Sequence, residues 1–143
     1  MDKNELVLAA LATGEGAAFS PVQVQKLMFV LDREISQHTG GPHFAFEPYD
    51  YGPFDAAVYS TLEGLQAAGD VEISYGQGTR RRSYRLTVAG QTKGRELLAS
   101  TPPEVREYMR QLSGWVRSLS FTDLVSAIYA AYPEMRANSV FRG

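Results

Sequence analysis

Apolar positions recur at helical spacing in several blocks of the chain and alternate at a period of two in one short region. Leu6, Val7, Ala10 and Leu11 share one face of a first helix over about residues 2–12, and "TGEGAA" ends it. Ser20 then stands as a cap before Pro21. Gln23 completes a capping box with it, and Phe19 and Val24 hold the two positions of a hydrophobic staple. A second helix is therefore predicted over Pro21 to Gln37. Its stripe of Val24, Leu27, Met28, Leu31 and Ile35 is wide enough for a central place in the core. The connection "HTGGPHFAFEPYDYGP" turns at Gly40, Gly41 and Pro42, with a brief strand expected over 44–46. A third helix is predicted from Pro53 or Phe54 to Ala68, with Phe54, Val58, Leu62 and Leu65 on one face and Gly69 as its stop.

The period changes to two in "DVEISYG" and "RRSYRLT", which read as a β-hairpin with residues 76–82 at its tip. Helices are expected again over Ala89 to Ala99, over Glu104 to Ser118, and from a Ser120 cap to Pro133. The apolar set of the second of these is Val105, Tyr108, Leu112, Trp115 and Leu119, with Trp115 in the core or in a dimer seam. The tail "RANSVFRG" is expected to be partly loose. The order helix, helix, helix, hairpin, helix predicts a mainly α fold with a small antiparallel β-hairpin. A winged-helix-like core spans about residues 2–99, and two C-terminal helices at about 103–133 pack on it, all in one domain over 1–143.

Composition narrows the chemistry. The 143 residues include no cysteine, which excludes disulfides, thiolate metal sites and Cys nucleophiles. No apolar run reaches the length of a membrane span, and the first residues read as a folded helix rather than a secretory signal, so a cytoplasmic protein is expected. Net charge is −2, but its distribution is uneven. Residues 34–72 hold seven acidic groups and no Lys or Arg, whereas residues 73–118 hold nine basic and three acidic groups.

On a winged-helix reading, the third helix takes the position that meets DNA. It offers Asp55, Ser60, Thr61, Glu63 and Gln66, with no basic residue, and Glu47 and Asp50 lie in its approach. Carboxylates there oppose the phosphate term that dominates DNA affinity. The hairpin is opposite in character, with Arg80, Arg81, Arg82 and Arg85 clustered beside Tyr75. Such guanidinium forks suit phosphates or an acidic protein partner. Catalytic chemistry finds little support. His38 and His43 lie in a Gly-rich link where they could join Glu47 or Asp50 on a metal, Ser20 is accounted for as a cap, and "GEG" and "GQG" lack a phosphate loop's ending. The expectation is a protein without catalytic residues, metal or cofactor.

Taken together, "QKLMFVLDRE" and "YDYGPFDAAVYSTLEGL" resemble the Panacea superfamily, the SocA-like antitoxin domain, and its YwgA-like relatives. The matching positions are Gln25, Lys26 and Leu27, then Tyr51, Gly52 and Pro53, then Tyr59, Leu62 and Leu65. The resemblance spans about residues 5–98. "PYDYGP" replaces the tryptophan-containing lead-in usual there, and the last two helices lie outside it. It implies a non-enzymatic, antitoxin-like interaction module that binds a partner protein directly, with a toxin as one class of partner. The alternative is a DNA-binding winged-helix regulator, and a homodimer without another partner remains a third option. The partner-binding residues expected are Arg80, Arg81, Arg82, Arg85, Tyr75 and Asp55. Gln25, Lys26, Leu27, Tyr51, Gly52, Pro53 and Tyr59 are expected as scaffold, with Tyr51 burying its ring and Lys26 reaching Asp50, Asp55 or the turn carbonyls.

Overall fold

A computed structural model describes residues 1–76 and 81–142. The hairpin tip, with Arg80, lies outside the described residues. Helix α1 (Lys3–Ala12) starts at a reciprocal capping box, in which Asp2 Oδ1 accepts from Glu5 N at 2.8 Å and Glu5 Oε1 accepts from Asp2 N at 3.0 Å. Its residues Leu6 to Ala12 are all buried, so the helix is enclosed on every side rather than on the one face expected. Helix α2 (Pro21–Glu34) begins at the predicted Ser20–Gln23 capping box, with Phe19 and Val24 both buried. It stops short of Gln37. Ile35 leaves the helical conformation, and a single turn, α3 (Ser36–Thr39), follows and ends at Gly40 in the left-handed region.

The next segment departs most from expectation. The strand expected over 44–46 lies instead at β1 (Glu47–Tyr49), paired antiparallel with β2 (Gly52–Phe54). Pro53 and Phe54 are thus strand, and helix α4 (Ala56–Ala67) starts later, capped by Asp55. The cause lies on α2. Gln25 and Lys26 take up main-chain groups of Pro53 and Asp55, which holds this stretch extended.

Strands β3 (Val71–Tyr75) and β4 (Arg82–Leu86) form the predicted hairpin, with Val71 opposite Leu86 and Tyr75 opposite Arg82. The far edge of β4 is paired too: Phe19 and Tyr84 exchange both main-chain bonds, at 2.8 and 2.9 Å. Helix α5 (Val88–Ala99) lies against α1. A Cβ placed on Gly94 would come within 2.5 Å of Ala12 Cβ and 2.6 Å of the Leu8 carbonyl, so only glycine permits this approach.

Helix α6 (Pro103–Ser118) buries Val105, Met109, Ser113 and Val116. The expected stripe through Tyr108, Leu112 and Leu119 is half-buried at its flank, and Trp115 is exposed rather than core. Helix α7 (Phe121–Ala131) and the 3-10 turn after it (Pro133–Arg136) close onto α2. Tyr132 sets its ring edge against Phe29 at 4.9 Å and donates to Glu34 at 2.6 Å, and Arg33 pairs with Glu134 at 2.8 Å. The tail is tied down instead of loose. Val140 N donates to the Asp50 carbonyl at 3.0 Å, and Asn138 Nδ2 donates to that of Pro48 at 3.2 Å. Phe141 packs beside Phe121 and Tyr129.

Candidate functional site: an aromatic groove over a buried lysine

The motif residues on α2 and those around the β1–β2 turn are two halves of one clamp. The Gln25 amide accepts from Asp55 N at 3.1 Å and donates to Asp55 O at 3.0 Å, as a neighbouring strand would. Lys26 Nζ donates to the Pro53 carbonyl at 3.2 Å, one of the turn carbonyls expected for it. Leu27 is fully buried beneath them. Gly52 is favoured by its backbone conformation, and a side chain there would crowd Tyr129. Its φ is +101°, and an added Cβ would sit 3.3 Å from the Tyr129 ring and 3.7 Å from Lys26 Nζ.

Above the clamp lies an open groove of about 940 Å³. It is lined by Phe19, Pro21 and Val22 at the start of α2 and by Tyr59, Arg81 and Arg82. Tyr49, Asp50 and Tyr51 of the β1–β2 turn border it with Phe121 of α7. Lys26 lines it from below and is only 4% exposed. Burial lowers the Lys26 ammonium to about 8. Tyr59 is held on three sides. Its ring stacks parallel to Tyr84 at 6.1 Å, meets Phe54 at 5.7 Å, and carries the Arg82 guanidinium over its face at 4.9 Å. Burial raises the Tyr59 phenol above its ordinary value, with its hydrogen bond to Gln25 and the charge of Arg82 opposing the rise. Tyr84 lies deeper, its hydroxyl buried without a hydrogen-bond partner, and burial pushes it up to about 12.

The structure divides the residues predicted to bind a partner. Arg81 and Arg82 line the groove, whereas Arg80 lies outside the described residues. Arg85 is exposed opposite Glu72, at a position that alternates to the other face of β4 from Arg82, so these two arginines do not form one patch. Tyr75 is 67% exposed opposite Arg82, outside the groove lining. Asp55 is occupied internally, its carboxylate accepting from Ala57 N and Ala45 N, both at 2.8 Å. It is therefore a cap and brace. Tyr51, expected to bury its ring, is 46% exposed and leans edge-on against Phe121 at 5.2 Å.

Phe121 was not legible as a site residue, since nothing local marks a contact between residues 51 and 121. The histidines separate: His38 is exposed, while the His43 ring is bonded to Asp32 and to the Met1 carbonyl. Among the described residues, no cluster of three metal-ligating side chains occurs, and no helix is long and apolar enough to cross a membrane. Compared with protein-family models and with curated proteins, the chain matches none.

Proposed function

We propose that this chain is a non-enzymatic, antitoxin-like interaction module that acts in the cytoplasm by binding a partner protein directly. The observation that carries this reading is the exposed aromatic border of Tyr49, Tyr51 and Phe121 beside a groove with cationic walls. Large rigid rings that can be desolvated dominate protein interfaces. The motif resemblance to the Panacea antitoxin domain names a toxin as the class of partner.

A winged-helix-like reading of residues 2–99 supports the same conclusion. On that reading the hairpin β3–β4, extended by Phe19, is taken as the wing and α4 as the recognition helix. The exposed positions of α4 include Ser60, Glu63 and Gln66 and no basic residue, which disfavours DNA. The second reading, a DNA-binding regulator, draws on exposed Arg81 and Arg85 at the hairpin.

A tagged pull-down from the source cells, run with nuclease and about 0.5 M salt and then without either, separates the two. A stoichiometric protein that survives both treatments is expected. Nucleic acid lost on treatment, with no protein partner, transfers the assignment to the regulator.

A further inference from the structure

Three charged side chains with relative exposures below a tenth lie inside the described structure: Lys26, Asp32 and Asp70. Two are matched. Asp32 accepts from the main-chain N–H of His43 and Phe44 at 2.9 and 2.7 Å and faces the His43 ring, and Asp70 pairs with Lys93 at 2.9 Å. Lys26 is different. Its ammonium has three donors, and among the described residues one is used, on the Pro53 carbonyl. No carboxylate among the described residues pairs with it. A buried charge without an opposite charge is costly and ordinarily finds a partner. Lys26 lines the groove, so the groove is where that partner can arrive.

Arg82 lines the same groove. Its guanidinium is held over the Tyr59 and Tyr84 rings at 4.9 and 5.9 Å, with no carboxylate among the described residues pairing with it. The remaining surface of the groove is largely apolar: Phe19, Pro21, Val22 and Phe54, continued outward by Tyr51 and Phe121.

Resting on the protein-interaction reading, we infer that this groove is a docking channel for an extended segment of the partner that carries an aspartate or glutamate. The carboxylate seats between Lys26 and Arg82, and the apolar neighbours of that acidic residue lie on the aromatic border. Peptide is favoured over nucleic acid by the acids around the approach. Asp50 borders the groove, and Glu47 is exposed on the adjoining strand. A chain of phosphates crossing there meets repulsion along its length, whereas a single carboxylate passes to the cations within.

The test uses the full chain to select from a library of random linear peptides. The recovered consensus is then synthesised and its affinity measured by fluorescence anisotropy. Variants Lys26→Met and Arg82→Met are checked for folding by thermal melting, and a Glu→Gln or Asp→Asn peptide is measured beside them. Lys26→Met removes a costly buried charge and leaves the hydrophobic stem, so it is expected to fold. If it does not, Arg82→Met and the amide peptide carry the measurement. The expected result is a consensus with an acidic residue beside apolar ones, bound at least about tenfold more weakly after either change of charge. A consensus without an acid, or unchanged affinities in the variants, overturns the channel. The protein-interaction reading then still stands if the pull-down returns a protein. No enriched peptide also overturns the channel. Lys26-dependent binding of an oligothymidylate in its place overturns both readings.

Discussion

Two packed seams of this molecule show opposite characters. Where α1 meets α5, main chains come so close that Gly94 has no room for a methyl group, and α1 is apolar and buried from Leu6 to Ala12. Where α2 meets the β1–β2 hairpin, an ammonium is buried and the aromatic rings above it are left partly in solvent. The first arrangement maximises burial and leaves few polar groups to satisfy. The second gives up stability at one point. Proteins tolerate such local cost at functional sites and compensate elsewhere. The contrast thus separates a seam that serves the fold alone from the one where the proposed docking groove lies.

The contrast has measurable consequences, the largest on the stabilising side of α2. Leu27→Ala should lower unfolding free energy by about 2–5 kcal/mol, because Leu27 is fully enclosed. Chemical denaturation reads this directly, and a loss below about 0.5 kcal/mol, the range of surface changes, would contradict the burial.

Its neighbour behaves in the opposite sense. The folded-state value for Lys26, about 8, lies below its ordinary 10.5, so between these values the unfolded chain binds more protons and wild-type stability rises with pH. Below pH 8 the full cost is present. Lys26→Met lacks that cost, and its stability relative to wild type should therefore fall by about 3 kcal/mol between pH 7 and pH 11. Parallel denaturation curves for the two proteins would show it, and curves keeping a constant separation would remove the charge from the account of the groove.

Gly94→Ala probes the other seam. Forcing a methyl group against Ala12 and the Leu8 carbonyl should introduce strain of about 1–3 kcal/mol, exceeding the gain of about 1 kcal/mol in helix propensity. A more stable protein would show that the two helices part easily.

The smallest effect is expected at Tyr84→Phe. Removing a buried hydroxyl that lacks a partner should leave stability unchanged or raise it by up to about 1 kcal/mol. A clear loss in a thermal melt would reveal a hydrogen bond to that oxygen.

Local signals carried much of the architecture. The Ser20–Gln23 box, the Val71–Leu86 alternation and the Ser120 cap were readable because each is set by residues a few positions apart. Expectation failed where distant groups decide. Pro53 has a sound local reason to open a helix, yet Lys26 and Gln25, some thirty residues earlier, hold that stretch as strand. Tyr108, Leu112 and Trp115 form an apolar stripe in sequence, but α6 is rotated so that Ser113 lies inside and Trp115 outside. For the groove, the sequence held the Arg82 wall and the motif residues. The unpaired state of Lys26 and the arrival of Phe121 depend on tertiary packing. Arg82 and Arg85 part for a simpler reason, since alternation along β4 sends them to opposite faces.

The Gln25 clamp implies an unequal freedom to vary. Its two bonds to Asp55 go to main chain alone, so this contact is indifferent to the side chain carried there. Position 25 itself has no synonym: glutamate has no hydrogen to donate, and asparagine is one methylene short. Nor does the clamp register how many residues separate its halves. Chain could be added near the Gly40 turn while Gln25 and Asp55 still meet, so the two motifs can stay in partnership across sequences whose intervening lengths differ.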